Sequence, residues 1–255
     1  MKWRGIFIGL NYSHCPSGKL RGCINDTKAL SKVFKDYLGN GTVTLHTDDK
    51  DLKSTSHNGI ITLLNNLVAE TNKEKYELVV IHYSGHGSYI KDTNYDEQDK
   101  RDEVICPSDY LDAGMISDDI LNYIIRGITV ETKVIAIFDS CHSGSILDLQ
   151  YRWNIETKTS IIESNNNIIP KVILISGCKD DQTSADSKNR ITLQPQGALT
   201  SALVNLLGRN PILSKNVFEL VKAINSQLKY TYTQIPQLSS NFNLVENPLF
   251  FNTEI

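Results

Sequence analysis

Two short segments carry residue types that can do covalent chemistry: His82-Tyr83-Ser84-Gly85-His86-Gly87-Ser88 and Asp139-Ser140-Cys141-His142-Ser143-Gly144. A cysteine thiolate attacks carbonyl carbon, and an imidazole beside it takes or returns the proton. Cys141 sits among small and polar neighbours that expose a thiol and let backbone N–H groups approach a substrate. His86 is flanked by Gly85 and Gly87, which permit tight backbone geometry. His82 and His142 make poorer bases, the first lying within an apolar run and the second adjacent to Cys141. Cys15, Cys106 and Cys178 read as cysteines that simply pack.

Each segment follows a buried-strand pattern. Leu78 to Ile81 leads into the first and Val134 to Phe138 into the second, so His86 and Cys141 arrive at strand ends. If the strands are parallel neighbours, both residues reach the carboxyl edge of a sheet, where open α/β folds place their ligands. Further strands are expected at Ile6 to Leu10, Thr42 to His46, Val104 to Cys106 and Val172 to Ser176. Apolar residues at helical spacing predict helices between them. Asp26 marks the start of one carrying Leu30, Val33, Phe34, Tyr37 and Leu38, which Gly39 ends. Ile60, Leu64, Leu67 and Val68 mark another. Ser117 is a plausible N-cap, with Asp118 and Asp119 in the first turn, for a helix presenting Ile120, Leu121, Ile124 and Ile125. Ala198 to Leu207 is expected as a helix closed by Gly208, and Val217 to Leu228 as the last one. This alternation predicts an α/β fold with a mainly parallel sheet flanked by helices on both faces. Gln150 to Pro170 lacks a sustained period and reads as an inserted loop.

The chain has 255 residues, 40% hydrophobic and 22% charged, with a formal net charge of −3. That balance is too mild to imply a nucleic-acid partner. Five cysteines without a CxxC pair argue against a disulfide framework or structural zinc, and point to a reducing compartment. No apolar run approaches membrane-spanning length, and the first one is too short for a signal peptide. A cytoplasmic protein with no membrane partner is expected. A zinc hydrolase has no support, since HExxH and clustered Cys/His spacings are missing. Asp92, Asn94, Asp96 and Glu103 fall in an EF-hand-like register, but Glu97 stands where glycine is needed and the flanks read as strands, so an EF-hand is rejected.

Tyr83 to Ser88 and Asp139 to Gly144 resemble the catalytic motifs of the metacaspases, caspase-like cysteine peptidases of clan CD, family C14. Gly22-Cys23-Ile24-Asn25-Asp26 is similar to the family's early pocket segment, and Asp102-Glu103-Val104-Ile105-Cys106-Pro107-Ser108-Asp109 to its mid-domain segment. Ser176 to Asp186 and Gly197-Ala198-Leu199-Thr200 resemble its small-subunit signature. The likeness is to a type I member without a Pro-rich prodomain. It implies one caspase-like peptidase domain over 1–255, with a large-subunit-like part at 1–149, the insert at 150–170 and a small-subunit-like part at 171–255.

The resemblance further implies that Cys141 attacks the scissile carbonyl while His86 shuttles the proton, with backbone N–H groups of Gly87 and Cys141 as the oxyanion hole. It places Cys23, Asp26, Ser84 and Asp139 around the side chain preceding the cleaved bond. Two carboxylates there select a cation, Arg through bidentate geometry or Lys as a point charge. The residues alone offer Asp26 a second role as a helix N-cap and Asp139 one as a strand-end residue. The family also implies Ca²⁺ on Asp102, Asp118, Asp119 and Asp148, and no organic cofactor. A monomer acting on peptides or proteins is expected, with Lys158 the candidate for self-cleavage within 150–170. The competing reading is a catalytically idle caspase-like scaffold or regulator, against which the presence of both His86 and Cys141 argues.

Overall fold

The computed structural model describes residues 1–15, 18–91, 101–141, 143–164, 170–177, 186–188, 195–229 and 235–251. Strands β1 (Trp3–Gly9), β2 (Thr42–Thr47), β3 (Leu78–Ser84), β7 (Lys133–Asp139) and β10 (Lys171–Ser176) form the parallel part of an eight-stranded sheet. Antiparallel β13 (Gln237–Ser240), β8 (Tyr151–Trp153) and β9 (Ser160–Ile162) extend it, giving the order β2-β1-β3-β7-β10-β13-β8-β9.

β1, β3 and β7 are buried at every position, as strands covered on both faces must be. Their side chains divide by alternation. Ile6, Ile8, Val79, Ile81, Val134 and Ala136 join one core, with α3 (His57–Glu74) and α5 (Asp118–Ile125) packed over it. Trp3, Phe7, Leu78, Val80, Ile135 and Ile137 join the other, beneath α1 (Cys23–Leu38), α6 (Ala198–Arg209) and α7 (Val217–Leu228). The expected α/β architecture, a mainly parallel sheet with helices on both faces, is therefore present.

A smaller antiparallel sheet, β4 (Gly87–Lys91), β5 (Arg101–Ile105) and β6 (Ile116–Ser117), lies beside the site. β4 gives no alternation signal because its side chains are half-buried or exposed throughout. Two short helices, α2 (Leu52–Thr55) and α4 (Tyr110–Ala113), lie in the connections after β2 and β5. β11 (Asp186–Lys188) and β12 (Pro195–Gly197) form a hairpin leading into α6.

Three local expectations are corrected. The segment 150–170 is not simply a loop, since β8 and β9 form a hairpin on the outer edge of the main sheet. Its turn is built locally: Asn154 Oδ1 accepts from the N–H groups of Glu156 and Thr157, the Asn154 carbonyl accepts from the Lys158 N–H, and the Asn154 N–H donates to the Thr159 carbonyl. Strands of three residues are too short to show a period. α6 runs through Gly208 to Arg209 and is capped at Asn210. Asp26 does not open α1, which begins at Cys23 with Gly22 as N-cap, so its carboxylate is available for another task.

Candidate active site

β3 and β7 are parallel neighbours in a register that sets Ser84 opposite Asp139. The chain leaves these strands on the same edge, β3 toward His86 and β7 toward Cys141. The two loops touch. A Cβ added to Gly87 would lie 2.1 Å from the Cys141 carbonyl oxygen, so only glycine admits this approach. Cys141 is partly exposed, whereas Cys15, Cys23 and Cys106 are buried. Burial, and then the charge of Cys141, push the Cys106 thiol up to about 12. Among these four cysteines, Cys141 alone has the solvent access that a nucleophile needs. Cys178 and His142 lie outside the described residues.

The orientation of His86 is set from three directions. Its Nε2 lies 2.6 Å from the Gly18 carbonyl oxygen. A carbonyl only accepts, so Nε2 carries the proton and the lone pair of the neutral ring resides on Nδ1. The Tyr12 ring lies against the imidazole with centroids 4.7 Å apart. Tyr12 Oη accepts the His86 N–H at 3.0 Å and donates to the Cys106 carbonyl at 2.6 Å. The His86 carbonyl in turn accepts from Tyr83 Oη at 2.8 Å and from the Cys106 N–H at 3.0 Å. Burial holds both tyrosines well above the usual phenol range, so they stay protonated donors.

Tyr12 is itself strained, with φ +50, and fully buried. Asp48 holds that turn, accepting from the Asn11 N–H at 2.9 Å and the Tyr12 N–H at 2.6 Å. Gly18, Tyr12 and Asp48 were not foreseen from sequence. They come from loops after β1 and β2, and nothing in their local pattern marks them.

Two buried carboxylates meet at the same edge. Asp26, in the first turn of α1, is 0% exposed and Asp139, ending β7, is 3% exposed. Ser84 Oγ donates to Asp26 Oδ2 at 2.6 Å. The Gly197 N–H reaches Asp26 Oδ1 and Oδ2 at 2.9 and 3.0 Å, and the Thr200 N–H reaches Asp139 Oδ2 at 2.8 Å. Cys23 is buried one helical turn before Asp26, its carbonyl accepting from Thr27 Oγ1. The four residues expected to form a pocket are thus brought to one place, with the start of α6 as a contributor the sequence did not reveal.

Asp102, Asp118 and Asp119 also come together, with one carboxylate oxygen from each lying within 4.8 Å of the others. Burial and then the charges of Glu103 and Asp102 push Asp118 up to about 9, against its hydrogen bonds from the N–H groups of Asp119 and Glu103. Hard oxygen donors crowded at such cost fit a divalent cation such as Ca²⁺. Asp148 is outside this group of three, in a left-handed conformation with φ +46. Its segment reaches the cluster through Ser145, whose carbonyl accepts the Asp148 N–H at 2.6 Å and whose Oγ donates to Glu103 Oε2 at 2.6 Å. Glu103, buried at the centre of these contacts, was weighed from sequence only in the rejected EF-hand register.

Lys158 lies in the β8–β9 turn at φ +55, with Nζ 3.4 Å from Glu219 Oε1 and 5.7 Å from the centre of the Phe218 ring. It is held in a closed turn. No helix among the described residues is long and apolar enough to cross a membrane.

A sheet edge that presents a partly exposed cysteine, an oriented histidine and a buried pair of carboxylates has the residues a thiol-dependent catalyst needs. A family model described as "Metacaspase, peptidase C14 domain" matches residues 3–150. Metacaspase-1B of Neurospora crassa is 32% identical over 300 aligned positions, covering 97% of this chain and 68% of that protein. Metacaspase-1 of Botryotinia fuckeliana is likewise 32% identical, covering 98% and 70%. The chain belongs to the metacaspase family of cysteine peptidases, whose substrates are proteins. A crystal structure of a Geobacter sulfurreducens protein superimposes with a TM-score of 0.67 at 22% identity, covering 94% of this chain and 93% of that one, a likeness of fold.

Proposed function

We propose that this protein is a calcium-stimulated endopeptidase that cleaves after Arg or Lys through a Cys141–His86 dyad. The observation that carries the reading is the burial of Asp26 and Asp139 together on the sheet edge that also delivers His86 and Cys141. In this reading the substrate cation enters beside these carboxylates and is held by charge-assisted hydrogen bonds, which also orients the following peptide bond. Cys141 Sγ, its proton passed to His86 Nδ1, forms a bond to the scissile carbonyl carbon. N–H groups of Gly87 and Cys141 hold the resulting oxyanion. Collapse expels the amine, which takes the proton from His86. Water, deprotonated by the same imidazole, then hydrolyses the thioester and frees the thiol.

Calcium would be held by Asp102, Asp118 and Asp119, with Asp148 joining from the Ser145 segment, and would relieve the repulsion among these carboxylates. β5 carries this cluster at one end, while at the other Ile105 pairs with Gly87 and the Cys106 N–H bonds the His86 carbonyl. Order at the cluster therefore reaches the dyad through one short strand. We read the chain as one peptidase domain, a cytoplasmic monomer with a large-subunit-like part at 1–149 and a small-subunit-like part at 171–255. Self-cleavage after Lys158 follows from a basic preference, and requires the Asn154–Thr159 turn to open.

Fluorogenic peptides ending in Arg, Lys or Asp, assayed with a chelator or with about millimolar calcium, test this directly. Arg and Lys peptides are expected to be cut, faster with calcium, with intact mass recorded alongside to follow Lys158. Asp26→Ala should lose most of that activity, and Asp peptides should be ignored. Efficient cutting after Asp alone would overturn the pocket assignment, and rates indifferent to calcium would remove the metal.

A further inference from the structure

Gly197-Ala198-Leu199-Thr200, singled out in the sequence, takes no part in the chemical steps proposed above. Its geometry is unusual. Gly197 is the N-cap of α6 with φ −62 and ψ 145, extended backbone that any residue adopts. Conformational freedom is therefore not why glycine stands here. Space is the reason: a Cβ at this position would lie 2.2 Å from Asp139 Oδ2, 2.6 Å from its Cγ and 2.9 Å from Asp26 Oδ2. The glycine backbone is wedged between the two carboxylates of the acidic pocket.

The same backbone supplies their hydrogen bonds. The Gly197 N–H straddles both oxygens of Asp26, while the Thr200 N–H, in the first turn of α6, binds Asp139 Oδ2. These are amides without an intrahelical acceptor, at the positive end of a helix spanning Ala198–Arg209. Two buried carboxylates touching one glycine repel each other, and donors aimed at the charged form offset that repulsion. Asp26 is fixed against β3 by Ser84 and Asp139 belongs to β7, so α6 is what spaces one from the other.

We infer that Gly197, with the α6 N-terminus behind it, is a positioning and specificity-determining element that sets the spacing of Asp26 and Asp139 for a guanidinium or ammonium group. The inference rests on the assignment of those carboxylates to the pocket for the residue before the cleaved bond. It makes the small-subunit-like half part of substrate selection, although the dyad comes wholly from the other half.

Gly197→Ala is the test, compared with wild type and with Gly208→Ala, a glycine of the same helix facing open space. The expected result is a KM for Arg peptides raised on the order of ten- to a hundredfold, as for loss of a charge-assisted contact, with kcat less affected. Alkylation of Cys141 by iodoacetamide, which needs no cation pocket, should keep its wild-type rate, and Gly208→Ala should match wild type in both. If wild type itself shows no preference for basic peptides, the pocket assignment fails and the inference with it. If wild type prefers them and Gly197→Ala keeps the same KM, the inference alone is overturned. Should Gly197→Ala fail to fold, the Gly197 and Thr200 amide resonances of wild type carry the test. Argininamide should shift them and norleucinamide should not, and equal responses would overturn the inference.

Discussion

Residues of one type do different work here according to what surrounds them. His82 and His86 lie only four residues apart in sequence, yet His82 is fully buried inside β3, against the Phe7 ring at 5.8 Å. Burial pushes its imidazole from the ordinary 6.5 down to about 3, so it is a neutral core residue. The consequence for stability has a definite sign. Below 6.5 the unfolded chain binds a proton at His82 that the native chain refuses, so this contribution is intact above that pH and is lost as pH falls toward about 3. The loss is about 1.4 kcal/mol for each pH unit in that window. Urea unfolding of wild type and His82→Gln at neutral pH and again near pH 4.5 should show wild type losing more stability on acidification, the window coming from its depressed value of about 3. Parallel losses in the two proteins would contradict it.

At the scale of elements, the site depends on short connections more than on the strands that announce it. The turn after β1 places Tyr12 against His86, and Asp48 after β2 clamps that turn through two backbone N–H groups. Tyr12→Phe keeps the ring against the imidazole but removes the Oη that accepts the His86 N–H and donates to the Cys106 carbonyl. A fall in kcat of about tenfold with KM unchanged is expected, since the base is misaligned and the pocket untouched. Tyr12→Ala, which also loses the ring, should fall further, and steady-state kinetics giving Tyr12→Phe the wild-type kcat would contradict this role. These connections also mark the limit of what could be read beforehand. His86 and Cys141 are legible because their types and strand-end positions are local signals, whereas Asp26 and Asp139 were picked out through the family resemblance. Gly18, Tyr12, Asp48 and the Gly197 wedge act through contacts between distant segments and leave no pattern of their own. The β8–β9 hairpin was hidden by its brevity, and β4 by an exposure that erases alternation.

For the whole molecule, the eight-stranded sheet separates two apolar layers and leaves one edge for chemistry. Its central strands were legible as continuous apolar runs, and their parallel order followed from the helices between them. His86 and Cys141 follow β3 and β7, the buried pair Asp26 and Asp139 is held by α1 and α6 from the far layer, and the acidic cluster lies on β5 and α5 on the near one. In the function proposed above, substrate selection and its control by a cation would be built on opposite sides of the same pair of strands. The central claim is that Cys141, oriented toward a basic residue in the pocket, is the nucleophile. Labelling with a peptidyl-arginine chloromethyl ketone, followed by intact mass and peptide mapping, tests it most directly, because the reagent must first bind through its cation and is then captured by the attacking sulfur. One adduct on Cys141 is expected, none on Cys106, whose thiol is held up at about 12, and the adduct should fade in both Asp26→Ala and His86→Ala. An adduct on another residue, or capture of a peptidyl-aspartate reagent in preference to the arginine one, would contradict it.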